Sequence, residues 1–409
     1  MDSHIAPSTC HAQDDAGPSH AAATPLPLSL NGAECKIPTC GIYFDSCERF
    51  VKFASYLVWQ EQDLDFMGST AHKATKSIPV HRVAIVRSFT QFLEDVGAPV
   101  ESGFRQSGLP WCALEDVNNY VPSHRFWKFL ISMARSEGIP DLGFRVGDQF
   151  GANSADTHMV KLLRSSPTLY QGLIRASELC NKTVTNCRVG ILQPPNSEYA
   201  YFYHRPSCNA NNPAIEQISW SGLTTLLDMV RAYTGPQWQP AEIGLMADNG
   251  PCRYICEHFP HTRMRLSQAY SWIALDNTVL SMPPFNKQTA IQASTSPDYE
   301  ALPGDFVGSL KLVLLTYIQE RKLSLEFAAR LCSTSKRTLQ RNLREAGTNY
   351  QEVLSNTRFC VASHMLQDPA IKVTDIARRL GYSDSAHFAR AFRRIAGVTP
   401  KVYRRQFCH

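Results

Sequence analysis

Hydrophobic positions recur at helical spacing through the last hundred residues of the chain, and no alternating strand pattern interrupts them. The segment Phe306–Gln319 carries apolar side chains on one face, which predicts an amphipathic helix. Six further helices, separated by short polar turns, can be drawn before the C-terminus, and the longest is Tyr350–Leu366. The pattern therefore predicts an all-α domain over residues 304–409.

Residues 76–285 contain both helical and strand-like patterns of apolar residues. Helical spacing marks Arg87–Val96, Arg125–Glu137 and Thr224–Tyr233, and strand-like runs mark Val189–Leu192, Ala200–His204 and Trp272–Leu275. These stretches predict an N-terminal mixed α/β domain, so the chain is expected to be a multi-domain protein. Residues 286–303 are polar and are predicted to form a linker. Residues 1–75 are predicted to form a poorly ordered leader, and Met67 within it is a second candidate for the first residue of the natural protein.

Two stretches of the C-terminal domain repeat each other at an offset of 49 residues. Ala328 and Leu331 of the first stretch match Ala377 and Leu380 of the second. Basic positions repeat as well, since Arg341 matches an arginine 49 residues later. A repeated fold alone requires only the apolar matches, so the basic matches indicate a shared surface function.

The first copy, at about residues 324–346, predicts a helix-turn-helix whose second helix has two faces. The predicted core face consists of Leu339, Leu343 and Ala346. The opposite face follows i, i+3, i+4 and i+7 spacing and consists of Arg337, Gln340, Arg341 and Arg344. Thr334 or Ser335 can cap this helix. Arg and Gln side chains fit guanine and adenine edges in the major groove, so the outer face is a candidate DNA-reading surface.

The second copy, at about residues 373–396, repeats the plan. Its first helix is predicted to pack through Ile376, Ala377 and Leu380, and Ser383 or Asp384 can cap its second helix. The predicted core stripe of that second helix consists of Phe388, Ala391, Phe392 and Ile395. Its predicted outer face consists of Ser383, Ala386, His387, Arg390 and Arg394. His387 suits a phosphate contact or a plain surface position as well as base reading.

The long helix between the copies is predicted to act as a rigid spacer. Its residues available for packing are Val353, Leu354, Cys360, Val361, Met365 and Leu366. Held by this spacer, the two recognition helices could enter neighbouring major-groove segments about 34 Å apart. Pro400 suits the first position of a last helix, whose N-terminus could hold a phosphate.

Charge is distributed unevenly along the 409 residues. The formal net charge is +5, but residues 323–409 hold 15 Lys and Arg against 6 Asp and Glu, or +9, which leaves −4 for the rest. A basic terminal domain predicts a polyanionic partner, most simply nucleic acid, although a solvated basic face would give the same balance. No apolar run is long enough to span a membrane, and no secretory signal is present, so a cytoplasmic protein with reduced thiols is expected.

A cysteine- and histidine-rich segment offers a competing chemistry. Cys252, Cys256, His258 and His261 could supply four metal ligands, but their spacing is not a standard zinc pattern and Pro260 interrupts them. No metal or other cofactor is therefore predicted. A DNA alkylation-repair protein would need a four-cysteine cluster and a Pro-Cys-His acceptor, and neither is present. Because no P-loop, nucleophile elbow or dinucleotide fingerprint occurs either, the chain is not expected to be an enzyme.

The C-terminal block resembles the DNA-binding domain of the AraC/XylS-type bacterial transcription regulators over Asp305–Gln406. The most specific stretches are TSKRTLQRNLREAGTNYQEVL (Thr334–Leu354) and IARRLGYSDSAHFARAFRRIAGVTPKVYRR (Ile376–Arg405). Cys332 stands where the family often has Gly, and Tyr382 where Phe is usual. More weakly, VPSHRFWKFLISMARSEGIPDLGFRVGDQF and SWIALDNTVLSMP are similar to the arabinose-binding-like effector domain of one branch of the family.

The resemblance implies a ligand-responsive DNA-binding regulator of the bacterial nucleoid, and it favours an activator over a repressor. Base contacts in the family come from the N-terminal half of each recognition helix. The implied DNA-binding residues are Lys336, Arg337, Gln340, Arg341, Arg344, Ser385, Ala386, His387, Arg390 and Arg394. The implied partners are a double-stranded DNA site of about 20 base pairs, an unidentified small-molecule effector, RNA polymerase for an activator, and a second copy of the chain for a homodimer. The alternative is a metal- or thiol-responsive regulator, or a DNA alkylation-repair protein that uses the cysteine-rich N-terminal part.

Overall fold

The computed structural model describes residues 77–154, 157–195, 197–285, 302–319 and 323–407. All of these residues belong to one compact unit. The predicted leader and residues 286–301 of the predicted linker lie outside the described residues. Among the helices of the described ranges, none has both the length and the apolar character needed to cross a membrane.

Helices dominate the first part of the mixed region. They are α1 (Val83–Asp95), α2 (Val100–Ser107), α3 (Ser123–Ser136), α4 (Leu142–Ser154), α5 (Thr157–Arg164) and α6 (Leu169–Thr183), with a 3-10 turn at Trp111–Glu115. Two short strands, β1 (Val80–Arg82) and β2 (Tyr120–Pro122), pair antiparallel just before α1 and α3. The predicted apolar face of α3 is buried, and its Phe126 and Phe129 pack with Phe89 and Phe104 of α1 and α2. Aromatic burial of this size contributes much of the stability of such a small helical layer.

A five-stranded sheet forms the second part of the mixed region. Its strands are β3 (Cys187–Leu192), β4 (Tyr199–Pro206), β5 (Glu242–Gly244), β6 (Arg263–Arg265) and β7 (Ser271–Asp276), in the order β3-β4-β7-β5-β6. All neighbours pair antiparallel except β5 and β6, which are parallel. The other helices of this part are α7 (Ile215–Thr234), α8 (Arg253–His258) and α9 (Asn277–Leu280). Alternate residues of β4 are buried, and α7 packs against the sheet through Trp220 and Leu223.

The last part is helical in every described stretch, as the spacing predicts. Its helices are α10 (Phe306–Thr316), α11 (Leu325–Leu331), α12 (Lys336–Glu345), α13 (Tyr350–Gln367), α14 (Val373–Arg379), α15 (Ser385–Ala396) and α16 (Pro400–Phe407). Six helices follow α10, which agrees with the number predicted. The predicted fold class, a mixed α/β part followed by an all-α part with two helix-turn-helix units, is confirmed.

The two parts share a packed boundary that the sequence does not reveal. Ile78 and Val80, at the start of the mixed part, are buried in the same hydrophobic cluster as α10 to α16. The Ile78 amide donates to Ser309 Oγ at 2.9 Å, and Thr316 Oγ1 donates to the Tyr120 carbonyl at 2.7 Å. The strands β1 and β2 therefore complete the core of the C-terminal helices.

Three residues predicted to pack in the C-terminal core lie on the surface instead. Ala346 is the C-terminal cap that follows the last helical residue of α12, so its side chain has left the buried stripe and is exposed. Ile395 lies in the last turn of α15 beyond the buried Phe388 and Phe392, and its exposed fraction is 38%. Cys360 of α13 is exposed as well, because the core contacts of that helix are made by Val353, Leu354, Thr357, Ala362 and Leu366.

Candidate nucleic-acid interface

The first helix-turn-helix is built by two serine caps and a short turn. Ser324 Oγ accepts from the Phe327 amide at 3.2 Å and begins α11, and Ser335 Oγ accepts from the Thr338 amide at 3.1 Å and begins α12. Of the two predicted caps, Ser335 is therefore the one used. The left-handed residue of the turn is Ser333, with φ of 50°, whereas Cys332 has φ of −90°. Because Cys332 does not adopt positive φ, no glycine is needed there.

The second helix-turn-helix uses a carboxylate cap. Asp384 Oδ1 accepts from the His387 amide at 2.6 Å, and this hydrogen bond, followed by the one from Ser383, holds the pKa of Asp384 below its usual value. Of the two predicted caps, Asp384 is the one used. Gly381 has φ of 74° and supplies the left-handed residue of this turn.

The two recognition helices, α12 and α15, each bury one apolar stripe in the common core. In α12 the buried residues are Leu339 and Leu343, and in α15 they are Phe388 and Phe392. The ring of Phe392 packs edge-on against Tyr403 of α16, with centroids 5.3 Å apart. The predicted division of both helices into a core face and an outer face is thus present in the structure.

The ten predicted DNA-binding residues are all exposed. In α12 they are Lys336, Arg337, Gln340, Arg341 and Arg344, and in α15 they are Ser385, Ala386, His387, Arg390 and Arg394. Lys336 Nζ bonds to Glu326 Oε1 at 2.8 Å, and this contact is the main cause that lowers the pKa of Glu326 to about 2. Arg341 Nε lies 3.8 Å from Glu345 Oε1. Both ion pairs are solvent-exposed, so they cost little to exchange for phosphate contacts.

A further arginine belongs to the same surface. Arg393 of α15 is exposed, and the 49-residue repeat aligns it with Arg344. The repeat is the signal that identifies it. By contrast, Arg404 of α16 is not available, because Nε donates to the Leu366 carbonyl at 3.0 Å and Nη2 donates to the Ile371 carbonyl at 2.7 Å. This guanidinium instead fixes the turn between α13 and α14.

Helix α13 connects the two units. Its first residue, Tyr350, is buried and donates from its hydroxyl to the Leu323 carbonyl at 2.8 Å, just before α11. At its other half, the Phe359 ring lies 5.0 Å from the Phe392 ring of α15. The same helix thus contacts both units, which is the arrangement expected of a rigid spacer.

The four candidate metal ligands do not form a site. Cys252 Sγ bonds to Asp141 Oδ2 at 3.3 Å, Cys256 Sγ contacts the Pro251 carbonyl at 3.7 Å, and His258 Nδ1 bonds to the Tyr254 carbonyl at 2.8 Å. Over the ranges that the structure covers, no three His, Cys, Asp or Glu side chains are grouped to hold a metal ion. The metal-responsive alternative therefore gains no support from these residues.

Each of the two parts of the chain matches a known family model. Residues 328–406 match the helix-turn-helix domain family, and residues 97–284 match the N-terminal arabinose-binding domain of the AraC transcription regulator. The ornithine utilization regulator of Pseudomonas aeruginosa is 33% identical over 144 residues, which cover 34% of this chain and 42% of that protein. The transcriptional activator RhaR of Salmonella schwarzengrund is 26% identical over 180 residues, covering 43% of this chain and 61% of that protein.

The chain thus spans less than two thirds of the length of these two relatives. Among solved structures, the transcriptional regulator CdpR of Pseudomonas aeruginosa aligns over 75% of this chain and 96% of its own, with 20% identity and a TM-score of 0.35. A TM-score this low supports no functional argument. The relatives named here are regulators, which agrees with the expectation that the chain is not an enzyme.

Proposed function

We propose that this chain, a member of the AraC/XylS-type regulators, binds a specific DNA site through α12 and α15. We further propose that it regulates transcription in response to a small molecule. The observation that carries this proposal is the pair of capped helices, each with a buried apolar stripe and an exposed basic face. We assign residues 76–285 to effector sensing, residues 304–409 to DNA binding, and residues 286–303 and 1–75 to the linker and leader. The RhaR relative is named an activator, which favours activation through RNA polymerase.

The two helices are expected to read DNA unequally. The outer face of α12 offers Arg337, Gln340 and Arg341, whose forked donors and acceptors suit purine edges. At the corresponding part of α15, Ala386 offers only an apolar contact, such as one to a thymine methyl group, and His387 and Arg390 supply the polar contacts. The proposed site of about 20 base pairs should therefore be more strictly specified in the half read by α12.

Selection of bound duplexes from a random DNA library tests the proposal. The full chain should be used, because Ile78 and Val80 complete the core of the C-terminal helices. We expect two enriched sequence motifs whose centres lie about one helical turn apart, near 10 base pairs. A folded chain that binds the library without enriching any sequence would show that the basic faces bind polyanions without reading bases.

Substitution of one arginine in each helix tests the assignment of base contacts. Arg341→Ala and Arg390→Ala should each weaken binding to the selected site by about 1–3 kcal/mol and relax the preference at one base pair. Arg341→Lys keeps the positive charge but loses the paired donors of the planar guanidinium group, so it should also lose the base preference. Arg253→Ala, at an exposed arginine of α8, is the control and should bind as the unchanged chain does. Equal losses on selected and random duplexes would mean that these arginines contact only phosphates.

A further inference from the structure

A cavity of about 120 Å³ lies inside the mixed α/β part. Side chains from the helices α1, α3, α6 and α7 and from the strands β1, β3 and β4 form its wall. Much of the wall is apolar, with Phe89, Phe126 and Leu226 among its residues. Such a cavity, with a few polar groups on an apolar wall, has the general character of a small-molecule site.

Three polar atoms on this wall have no hydrogen-bond partner within the described part of the chain. They are Nδ1 of His204, Nε1 of Trp127 and Oδ1 of Asn186. The Asn186 amide nitrogen lies 2.7 Å from His81 Nε2, so turning this amide around would still leave one of its polar atoms unpaired. Buried polar groups in proteins are nearly always hydrogen-bonded, so a wall with three unpaired atoms is suited to a ligand that pairs with them.

Among the described residues, no Lys, Arg, Asp or Glu lines the cavity. The ionisable groups on its wall are two histidines and the free thiols of Cys180 and Cys187, which share a hydrogen bond. Burial, with a smaller contribution from His204, lowers the pKa of His81 to about 3, and burial lowers the pKa of His204 to about 4. Both rings are therefore neutral near pH 7, and a charged ligand would lose its hydration here without gaining a counter-charge.

We infer that this cavity is the effector site and that it takes a neutral molecule about the size of one aromatic ring, bearing a hydroxyl or carboxamide group. The volume sets the scale of the ligand, because an engineered apolar cavity of about 150 Å³ binds benzene. The unpaired atoms define the polar group. The Trp127 indole N–H can only donate and a carbonyl oxygen such as Asn186 Oδ1 can only accept, whereas a hydroxyl or carboxamide does both. This inference rests on the proposed function, since it names the ligand class of the proposed sensing domain.

Two residues that line the cavity, His81 and Trp127, lie close to the DNA-binding part. His81 lines the cavity, while Ile78 and Val80 of the same short segment are buried among the C-terminal helices. Trp127 also lines an open groove that reaches Ser333, in the turn of the first helix-turn-helix. A ligand that moves His81 or Trp127 would therefore act on residues close to the DNA-binding helices, and these contacts offer a physical route for coupling.

Titration calorimetry of the full chain with four single-ring probes tests the inference. Benzyl alcohol and benzamide are neutral, and benzoate and benzylammonium are charged molecules of similar size. We expect at least one neutral probe to bind with a Kd below about 1 mM, and both charged probes to bind at least about tenfold more weakly. Failure of both neutral probes to bind the folded chain, or equal binding of charged and neutral probes, would overturn the inference.

Matched variants of α7 locate the binding. Ser221→Leu fills part of the cavity and should weaken the binding of the neutral probe at least about tenfold. Thr234 is a half-buried residue of the same helix and does not line the cavity. Thr234→Leu should therefore leave the affinity for the neutral probe unchanged. Should Ser221→Leu fail to fold, Thr225→Leu narrows the cavity from a more exposed position of its wall. Unchanged probe binding in a folded cavity variant would place the probe elsewhere and contradict the inference.

DNA affinity measured in the same samples separates the two proposals. A saturating neutral probe should change the Kd for the selected duplex at least about fivefold, in either direction. Probe binding without any change in DNA affinity would show that the cavity is not an effector site. Probe binding by a chain that does not recognise DNA would instead refute the proposed function and leave the cavity's ligand class standing.

Discussion

Phe392→Ala should lower the free energy of unfolding of the C-terminal helices by about 3–5 kcal/mol. The exposed fraction of Phe392 is only 2%, and its ring lies between Phe359, Phe388 and Tyr403, with centroid distances of 5.0, 5.8 and 5.3 Å. Removal of the ring leaves a cavity between α13, α15 and α16 that cannot close without moving the recognition helix. Urea denaturation of the full chain followed by circular dichroism measures the loss, with the transition of the C-terminal part fitted separately.

Ile395→Ala is the matched control for this substitution. Both residues are apolar positions of α15 one turn apart, and both belong to the stripe that helical spacing assigns to the core. Because 38% of Ile395 is exposed, its truncation should cost less than about 1 kcal/mol. Similar losses for the two variants would mean that the observed division of α15 into buried and exposed faces is wrong.

The sequence predicts the two helix-turn-helix units well because three independent signals coincide there. The apolar positions Leu339, Leu343, Phe388 and Phe392 have helical spacing, capping residues stand at both helix starts, and the 49-residue repeat links the two copies. Agreement between pattern, capping and repeat is what makes a local prediction reliable. Spacing alone misplaces the ends of each stripe. Ala346 is exposed because α12 ends before it, and Ile395 is exposed because the core ends before α15 does.

The mixed part is less predictable, since its decisive features depend on distant contacts. The strands β5 and β6 have three residues each, too few for an alternating pattern, and they are fixed by pairing with β7 and with each other. The burial of Ile78 among the C-terminal helices depends on residues more than 200 positions away, such as Ser309. The cavity is defined by side chains from seven separate elements, so no local stretch of sequence indicates it.

The affinity of the chain for DNA should fall steeply as salt rises. The described C-terminal helices expose at least six basic side chains on and beside the recognition helices, namely Lys336, Arg337, Arg341, Arg344, Arg390 and Arg394. Contacts between basic side chains and DNA phosphates release condensed counterions. For a protein that makes about 6–10 phosphate contacts, affinity falls by roughly 10³–10⁵-fold between about 50 and 200 mM salt. Fluorescence anisotropy with the selected duplex, at several salt concentrations, measures the slope.

The salt slope also separates phosphate contacts from base contacts, residue by residue. Arg393→Ala removes a charge that the repeat places beside the reading face, so it should reduce the slope by about one and weaken selected and random duplexes alike. Arg341→Ala should in addition lower the ratio of selected to random affinity, since part of its proposed contact is with a base. Arg253→Ala removes the same charge from α8 and should leave the slope unchanged. If the slope of the unchanged chain were near zero, the +9 charge of residues 323–409 would have to face away from DNA, and α12 and α15 could not be the reading helices.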